Sequence, residues 1–301
     1  MKTKIYFWFG LFFCGFIAAS NVAAAHPRAE HVFIISFDQG NPDLMDKDNL
    51  PTVKKMVAKG AHTWTAYTTL PSLTLPSHTS MLTGVGPQKH QVLWNNYAPE
   101  KGFVKVPTIF GIAKEHHLVT AMFVGKERFK QLAVPGTVDV FVWPQPADDA
   151  KTVAGAFAEQ VKTLRPNLCF IHFRDADTVG HLFGADSQEK IAAMKDCDSA
   201  LKIVQDAVEQ AGLSKSSVFI MTADHGSHNT KDSNGKTVGA HDVGETADVL
   251  IPWIAFGKGV KKNFTVTATV LQYDTAATAL WLLGIPVPED FWGKPVTSAF
   301  E

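Results

Sequence analysis

Five short stretches of the chain, 31–37, 118–124, 168–173, 217–222 and 250–256, are apolar nearly throughout. A strand with one wet face alternates apolar and polar residues. A run without alternation belongs to a strand buried on both faces, the situation in parallel sheets covered by helices. The intervals between the runs carry helical patterns. Over 187–211, Ile191, Met194, Cys197, Leu201, Val204, Val208 and Ala211 recur at steps of three and four until Gly212 stops the pattern. A second helix is expected over 274–283, ended by Gly284 and Pro286. Strands alternating with helices make an α/β fold: a three-layer α/β/α sandwich around a mostly parallel central sheet. No internal repeat, low-complexity tract or long linker divides the chain, so one domain is expected.

Composition narrows the function. Hydrophobic residues make up 46% and charged residues 19%, at a mean hydropathy of zero, which excludes disordered, collagen-like and coiled-coil chains. The 28 basic and 29 acidic residues give a net charge of −1, without the basic excess that a nucleic-acid polymer would require of its partner.

The first residues read as a leader. Lys2 and Lys4 precede an apolar or small stretch over 5–19, short for a membrane span, and Ala23-Ala24-Ala25 offers a small-residue cleavage site. Residues 1–25 are therefore expected to be a signal peptide and 26–301 an exported domain, periplasmic or secreted, with no membrane association after cleavage. Cys14 would leave with the leader. The remaining Cys169 and Cys197 fit equally two buried thiols or one bridge, and the absence of any C-x-x-C pair excludes a thiolate zinc site.

Polar clusters stand where the apolar runs end, the position at which open α/β sheets build their sites. Asp38 follows the first run in Ser36-Phe37-Asp38-Gln39-Gly40. Thr74 opens a helical stretch with Pro76 in its first turn; it is either a simple cap or a hydroxyl held at the positive end of a helix. After the third run, Asp177 and His181 are four residues apart, so one helical turn puts carboxylate and imidazole on one side. Asp224-His225 follows the fourth run, and Gly239-Ala240-His241 comes shortly after. Carboxylates with imidazoles suit Zn²⁺ or a related divalent ion.

Taken in order, Phe37-Asp38, Thr74-Leu-Pro-Ser-His78, Asp177-x-x-Gly180-His181, Thr222-Ala-Asp224-His225-Gly226 and Gly239-Ala-His241 resemble the alkaline phosphatase superfamily. Within it the type I phosphodiesterase/nucleotide pyrophosphatase group is most similar. The segment 274–286 resembles the last helix of phosphatases and sulfatases. The resemblance implies an alkaline phosphatase-like fold and two divalent ions, normally zinc. Asp38, Thr74, Asp224 and His225 would hold one ion, and Asp177, His181 and His241 the other. Thr74 would be the nucleophile, passing through a phospho-threonine, and the substrate a small phosphoric ester such as a nucleotide.

Asn95 falls where the resemblance places an amide that donates to a non-bridging phosphoryl oxygen. Lys126 and Arg128 resemble the Lys-x-Arg or Lys-x-Lys element of some monoesterases and of phosphonoacetate hydrolase, and cations there would favour a dianionic monoester. A phosphomonoesterase or phosphonate hydrolase of the same superfamily is therefore the alternative activity, and a non-catalytic metal- or phosphate-binding protein the alternative class. Thr rather than Cys or Ser at position 74 argues against a sulfatase. His78, His90 and His228 have no role in the resemblance and read as structural. There is no H-E-x-x-H, G-x-S-x-G or P-loop motif.

Overall fold

The computed structural model describes Met1 and residues 28–47, 49–242 and 244–301; beyond Met1, the leader read over 1–25 lies outside the described residues. Ten strands follow in chain order: β1 (His31–Phe37), β2 (Ala61–Tyr67), β3 (Thr120–Val124), β4 (Val140–Val142), β5 (Leu168–Phe173), β6 (Ser217–Thr222), β7 (His228–Lys231), β8 (Thr237–Ala240), β9 (Leu250–Gly257) and β10 (Phe264–Thr265). The helices are α1 (Pro42–Lys47), α2 (Pro51–Lys59), α3 (Thr74–Thr83), α4 (Pro87–His90), α5 (Ile109–Glu115), α6 (Ala150–Leu164), α7 (Asp175–Phe183), α8 (Gln188–Gln210), α9 (Thr246–Val249) and α10 (Asp274–Leu282).

Among the described residues, eight strands form one sheet in the order β10-β2-β9-β6-β1-β5-β3-β4. β1 lies at its centre, parallel to β5 and β6, with Val32 opposite Leu168 on one side and Val218 on the other. β3 extends the parallel set beyond β5 and β4 beyond β3. The apolar run at 250–256 is a strand but not a parallel one: β9 runs antiparallel to β6 and to β2. Its direction follows from its connection. The chain leaves β6, makes the small β7–β8 ribbon and short α9, and returns without a crossover helix.

β1 explains the three layers. Its even residues Val32 and Ile34 pack with α3, α5 and α10, while Phe33, Ile35 and Phe37 pack with α2, α6 and α8. All seven residues of β1 are buried, as an unalternating run requires. Each of its phenylalanines, fully excluded from water, contributes about 2–3 kcal/mol through burial. α8 starts one residue later than expected, because the Ser187 side chain accepts from the Lys190 N–H as a cap. Its buried stripe also begins one position earlier than read from sequence: Lys190, not the half-buried Ile191, continues the line of Met194, Cys197 and Leu201. Cys169 on β5 and Cys197 on α8 are both buried free thiols, which settles the open choice against a bridge. Among the described residues no helix is long and apolar enough to cross a membrane.

The consequence for function is directional. β1, β3, β5 and β6 are mutually parallel, so the segments that follow them, bearing Asp38, Lys126, Asp177 and Asp224, emerge at one edge of the sheet.

Candidate active site

Thr74 is the first residue of α3, with Leu73 rather than a polar side chain at the capping position. Its hydroxyl is therefore not spent as a cap and stands at the positive end of a ten-residue helix. Beneath it, the buried His78 donates from Nδ1 to the Thr74 carbonyl at 2.7 Å and accepts at Nε2 from the Ser36 hydroxyl at 2.8 Å, tying the helix start to β1. Asn95 sits at the same helix end. Its Oδ1 accepts from the Leu75 N–H at 2.9 Å, which leaves the amide NH₂ a donor without a partner among the described residues.

The three imidazoles are oriented alike. His225 Nδ1 lies 3.0 Å from the Gly226 carbonyl, His241 Nδ1 2.6 Å from that of Ser72, and His181 Nδ1 2.9 Å from that of Gly239. A carbonyl only accepts, so each Nδ1 carries a proton, and in the neutral imidazole each Nε2 presents a lone pair inward. His181 Nε2 and His241 Nε2 face one another at 3.2 Å, an arrangement that two bare lone pairs cannot hold without a proton or a cation between them. This is the orientation in which backbone carbonyls set the tautomer of metal-ligating histidines.

Three buried carboxylates converge on the same point. Asp177 and His181, one turn apart on α7, approach to 3.2 Å. Asp38 Oδ1 is 3.6 Å and Asp224 Oδ2 3.1 Å from His225 Nε2. Two triads have one atom each within 4.8 Å of the others: Asp177, His181 and His241, and Asp38, Asp177 and His225. Asp38 Oδ1, Asp224 Oδ2 and His225 Nε2 are buried and find no hydrogen-bond partner among the described residues. Three orphaned acceptors at one spot fit a site for divalent cations.

The electrostatics divide the cluster. Burial raises the Asp224 carboxyl well above the usual range, and neighbouring Asp38 adds to the effect. Burial also opposes ionisation of Asp38 and Asp177, but Lys126 overcomes it and holds both below the ordinary carboxylate range, with His172 helping Asp38. Burial pushes His225 down to about 3 and lowers His241, while the hydrogen bond to Asp177 raises His181. His225 and His241 kept neutral beside ionised Asp38 and Asp177 are the protonation states a metal requires, whereas Asp224 and His181 must each lose a proton to ligate one.

Lys126 is inside this cluster. Its Nζ is 2.6 Å from both Asp38 Oδ2 and Asp177 Oδ2 and 3.4 Å from Thr74 Oγ1. Thr74, Asn95, Lys126, Arg128, His181 and His241 line one open cavity of about 370 Å³. Arg128 has no acidic partner among the described residues and borders a second cavity with Tyr97 and Arg174. The structure thus brings together every residue singled out from the sequence as a ligand or catalyst. His90 and His228 stand apart: His90 bonds Ser80 and Val92, and His228 bonds Asp248.

Three contributors were not legible as such. His172, within the apolar run of β5, places Nε2 2.8 Å from Asp38 Oδ2. Gln39 donates its backbone N–H to Asp224 Oδ1 at 3.1 Å and its amide Nε2 to Asp177 Oδ1 at 3.2 Å. Lys190 stands behind Gln39. An imidazole in an otherwise apolar strand and a lysine on the apolar stripe of α8 were the available signals.

Residues 32–253 match the family model described as type I phosphodiesterase / nucleotide pyrophosphatase. An uncharacterized pyrophosphatase/phosphodiesterase of Schizosaccharomyces pombe is 24% identical over 67% of this chain and 46% of its own length. Human ectonucleotide pyrophosphatase/phosphodiesterase family member 1 is 24% identical over 59% of this chain and 21% of its own. The chain thus spans less than half the length of these relatives. Murine ectonucleotide pyrophosphatase/phosphodiesterase 5, in an inactive threonine-to-alanine form complexed with AMP, superposes at a TM-score of 0.74 with 15% identity, covering 90% of this chain and all of the other. A putative sulfatase from Bacteroides thetaiotaomicron superposes at 0.72 with 15% identity, covering 90% and 74%.

Proposed function

Because the chain belongs to the type I phosphodiesterase/nucleotide pyrophosphatase family, we propose that it is a divalent-metal-dependent hydrolase of small phosphoric esters with Thr74 as its nucleophile. The observation that carries the reading is the convergence of three inward-facing Nε2 atoms and three buried carboxylates beside an uncapped helix-start hydroxyl. We take the site to hold two ions, most naturally zinc, with Asp38, Asp224, His225 and Thr74 around one and Asp177, His181 and His241 around the other. Bound there, they would supply charge neutralisation for the phosphoryl group and a lowered pKa for the hydroxyl. Residues 26–301 would form a single catalytic domain, exported behind the leader read over 1–25.

The chain's own residues define the steps. Thr74 Oγ1 forms a bond to phosphorus while the bond to the leaving oxygen breaks, and water then cleaves the phospho-threonine to regenerate the hydroxyl. The positive end of α3 favours the alkoxide character of Oγ1. The NH₂ of Asn95 is placed to donate to a non-bridging oxygen whose charge grows in the transition state. His78 and Ser36 hold the helix start that aims Thr74.

Lys126 and Arg128 favour a refinement. An ammonium 3.4 Å from the nucleophile and a guanidinium with no acidic partner among the described residues, on the same cavity, suit the second negative charge of a monoester better than the single charge of a diester. A nucleotide is one substrate that meets these terms, and the complex of the murine relative with AMP supports it. The test is hydrolysis of aryl phosphate mono- and diesters with added zinc. Thr74→Ala should abolish turnover while zinc content stays at the wild-type value. Undiminished turnover by that variant refutes Thr74 as nucleophile, and zinc binding without turnover of any ester by the wild type would make the protein a binding protein instead.

A further inference from the structure

Lys190 is fully buried in the first turn of α8, yet no carboxylate among the described residues touches it. Its three donors go to neutral acceptors: Gln39 Oε1 at 2.8 Å, Asn41 Oδ1 at 2.7 Å and Ser227 Oγ at 2.8 Å. An ammonium buried among neutral groups costs several kcal/mol. A methionine of similar length would fill the same space on the apolar stripe at no such cost, so packing does not explain a lysine here.

The directionality of the hydrogen bonds does. An ammonium donates and cannot accept, so it fixes which end of the Gln39 amide it meets. With Oε1 turned to Lys190, Nε2 must face Asp177 Oδ1, 3.2 Å away. The same residue sits at φ 60 and gives its backbone N–H to Asp224 Oδ1, so Gln39 touches a carboxylate of each half of the site. Gly180 completes the arrangement, since a Cβ at that position would land on Gln39 Oε1. Asn41 and Ser227 extend the clamp: the Asn41 amide donates to the Ser227 carbonyl at 2.9 Å, joining the segment after β1 to the segment carrying His225.

We propose that Lys190 is a positioning residue for cation binding: through the Gln39 amide it fixes Asp177 Oδ1, the oxygen that also faces His181 and His241, and leaves a second lone pair of that oxygen to a metal ion. The inference rests on the two-ion reading of the site. Lys190 touches neither substrate nor ligand directly, and its effect passes through one amide. Burial lowers its ammonium to about 7, and the carboxylates of Asp177 and Asp38 oppose that fall.

The experiment measures zinc affinity of the folded protein by competition with a chromophoric chelator, alongside melting temperature. Lys190→Met should weaken zinc binding about 10- to 100-fold, the usual effect of losing an outer partner of a ligand. Gln39→Leu should do the same, and the double variant should be no weaker than the worse single one, because both break a single path. Gly180→Ala, which displaces the amide without removing charge, should reproduce the loss and serves if Lys190→Met does not fold. A lower melting temperature with unchanged zinc affinity, or losses that add in the double variant, overturns the proposal. Wild-type protein that binds no zinc instead overturns the two-ion reading, and this inference with it.

Discussion

Lys126→Met is a sharp test of how the acidic cluster is held together. In the structure one ammonium, its side chain 12% exposed, bridges two buried carboxylates at 2.6 Å each. At an effective dielectric near 20, each contact represents about 6 kcal/mol of attraction. Desolvating the three charges consumes several kcal/mol per ion, so the net cost of deleting one partner of such a cluster is about 3–5 kcal/mol. For a chain of this size that is a fall in Tm of about 10 °C. The assay is thermal unfolding after EDTA treatment and again with saturating zinc. The variant should be markedly less stable than wild type in EDTA and should gain more from zinc, because a dication replaces the lost charge whereas in wild type it competes with the ammonium. Equal stability in EDTA, or a zinc-induced shift no larger than that of wild type, would refute this account of Asp38 and Asp177.

Two further outcomes are expected. Lys126→Ala should lower the ratio of monoester to diester kcat/KM, since the dianion loses more than the monoanion; an unchanged ratio in paired assays with aryl esters removes Lys126 from substrate recognition. His90, buried and accepting the Val92 N–H at Nδ1, is lowered by burial to about 4 from an ordinary 6.5. Its neutral form contributes stability that is complete above pH 6.5 and is lost as pH falls toward 4, about 3 kcal/mol over that window. Urea unfolding of wild type and His90→Gln across pH 4–7 should show a shallower dependence in the variant, and parallel curves would count against the assignment.

Much of this architecture is written locally. β1, β5 and β6 are readable because a strand buried on both faces has no polar alternation to disguise it, and Asp38 and Asp224 are readable because each follows such a strand. Asp177 and His181 need only the period of a helix. What is not local is not readable. β2 alternates, with exposed Thr65 and half-buried His62 and Trp64, and β7 is largely exposed, so neither presents an apolar run. The direction of β9 depends on how the chain returns to the sheet rather than on its own residues. Gln39, His172 and Lys190 act through partners 134 to 151 residues away, and no short-range spacing encodes such a meeting.

The two sides of the site hang from unlike supports. Asp38, Asp224 and His225 leave strands in the middle of the eight-stranded sheet, whereas His241 ends the two-stranded ribbon of β7 and β8, whose Gly239 lies so close to the Gly180 carbonyl of α7 that no side chain fits between them. A ribbon of four-residue strands has little stability of its own, and this one also supplies the carbonyl that orients His181. Local detachment of the ribbon from α7 would therefore remove one ligand and release another at the same moment, while the sheet-borne side stays intact. On the proposed two-ion reading, exchange of the ion held by Asp177, His181 and His241 would run at the rate of that detachment, far faster than unfolding of the domain, and the two positions would fill and empty in a fixed order, the sheet side first in and last out.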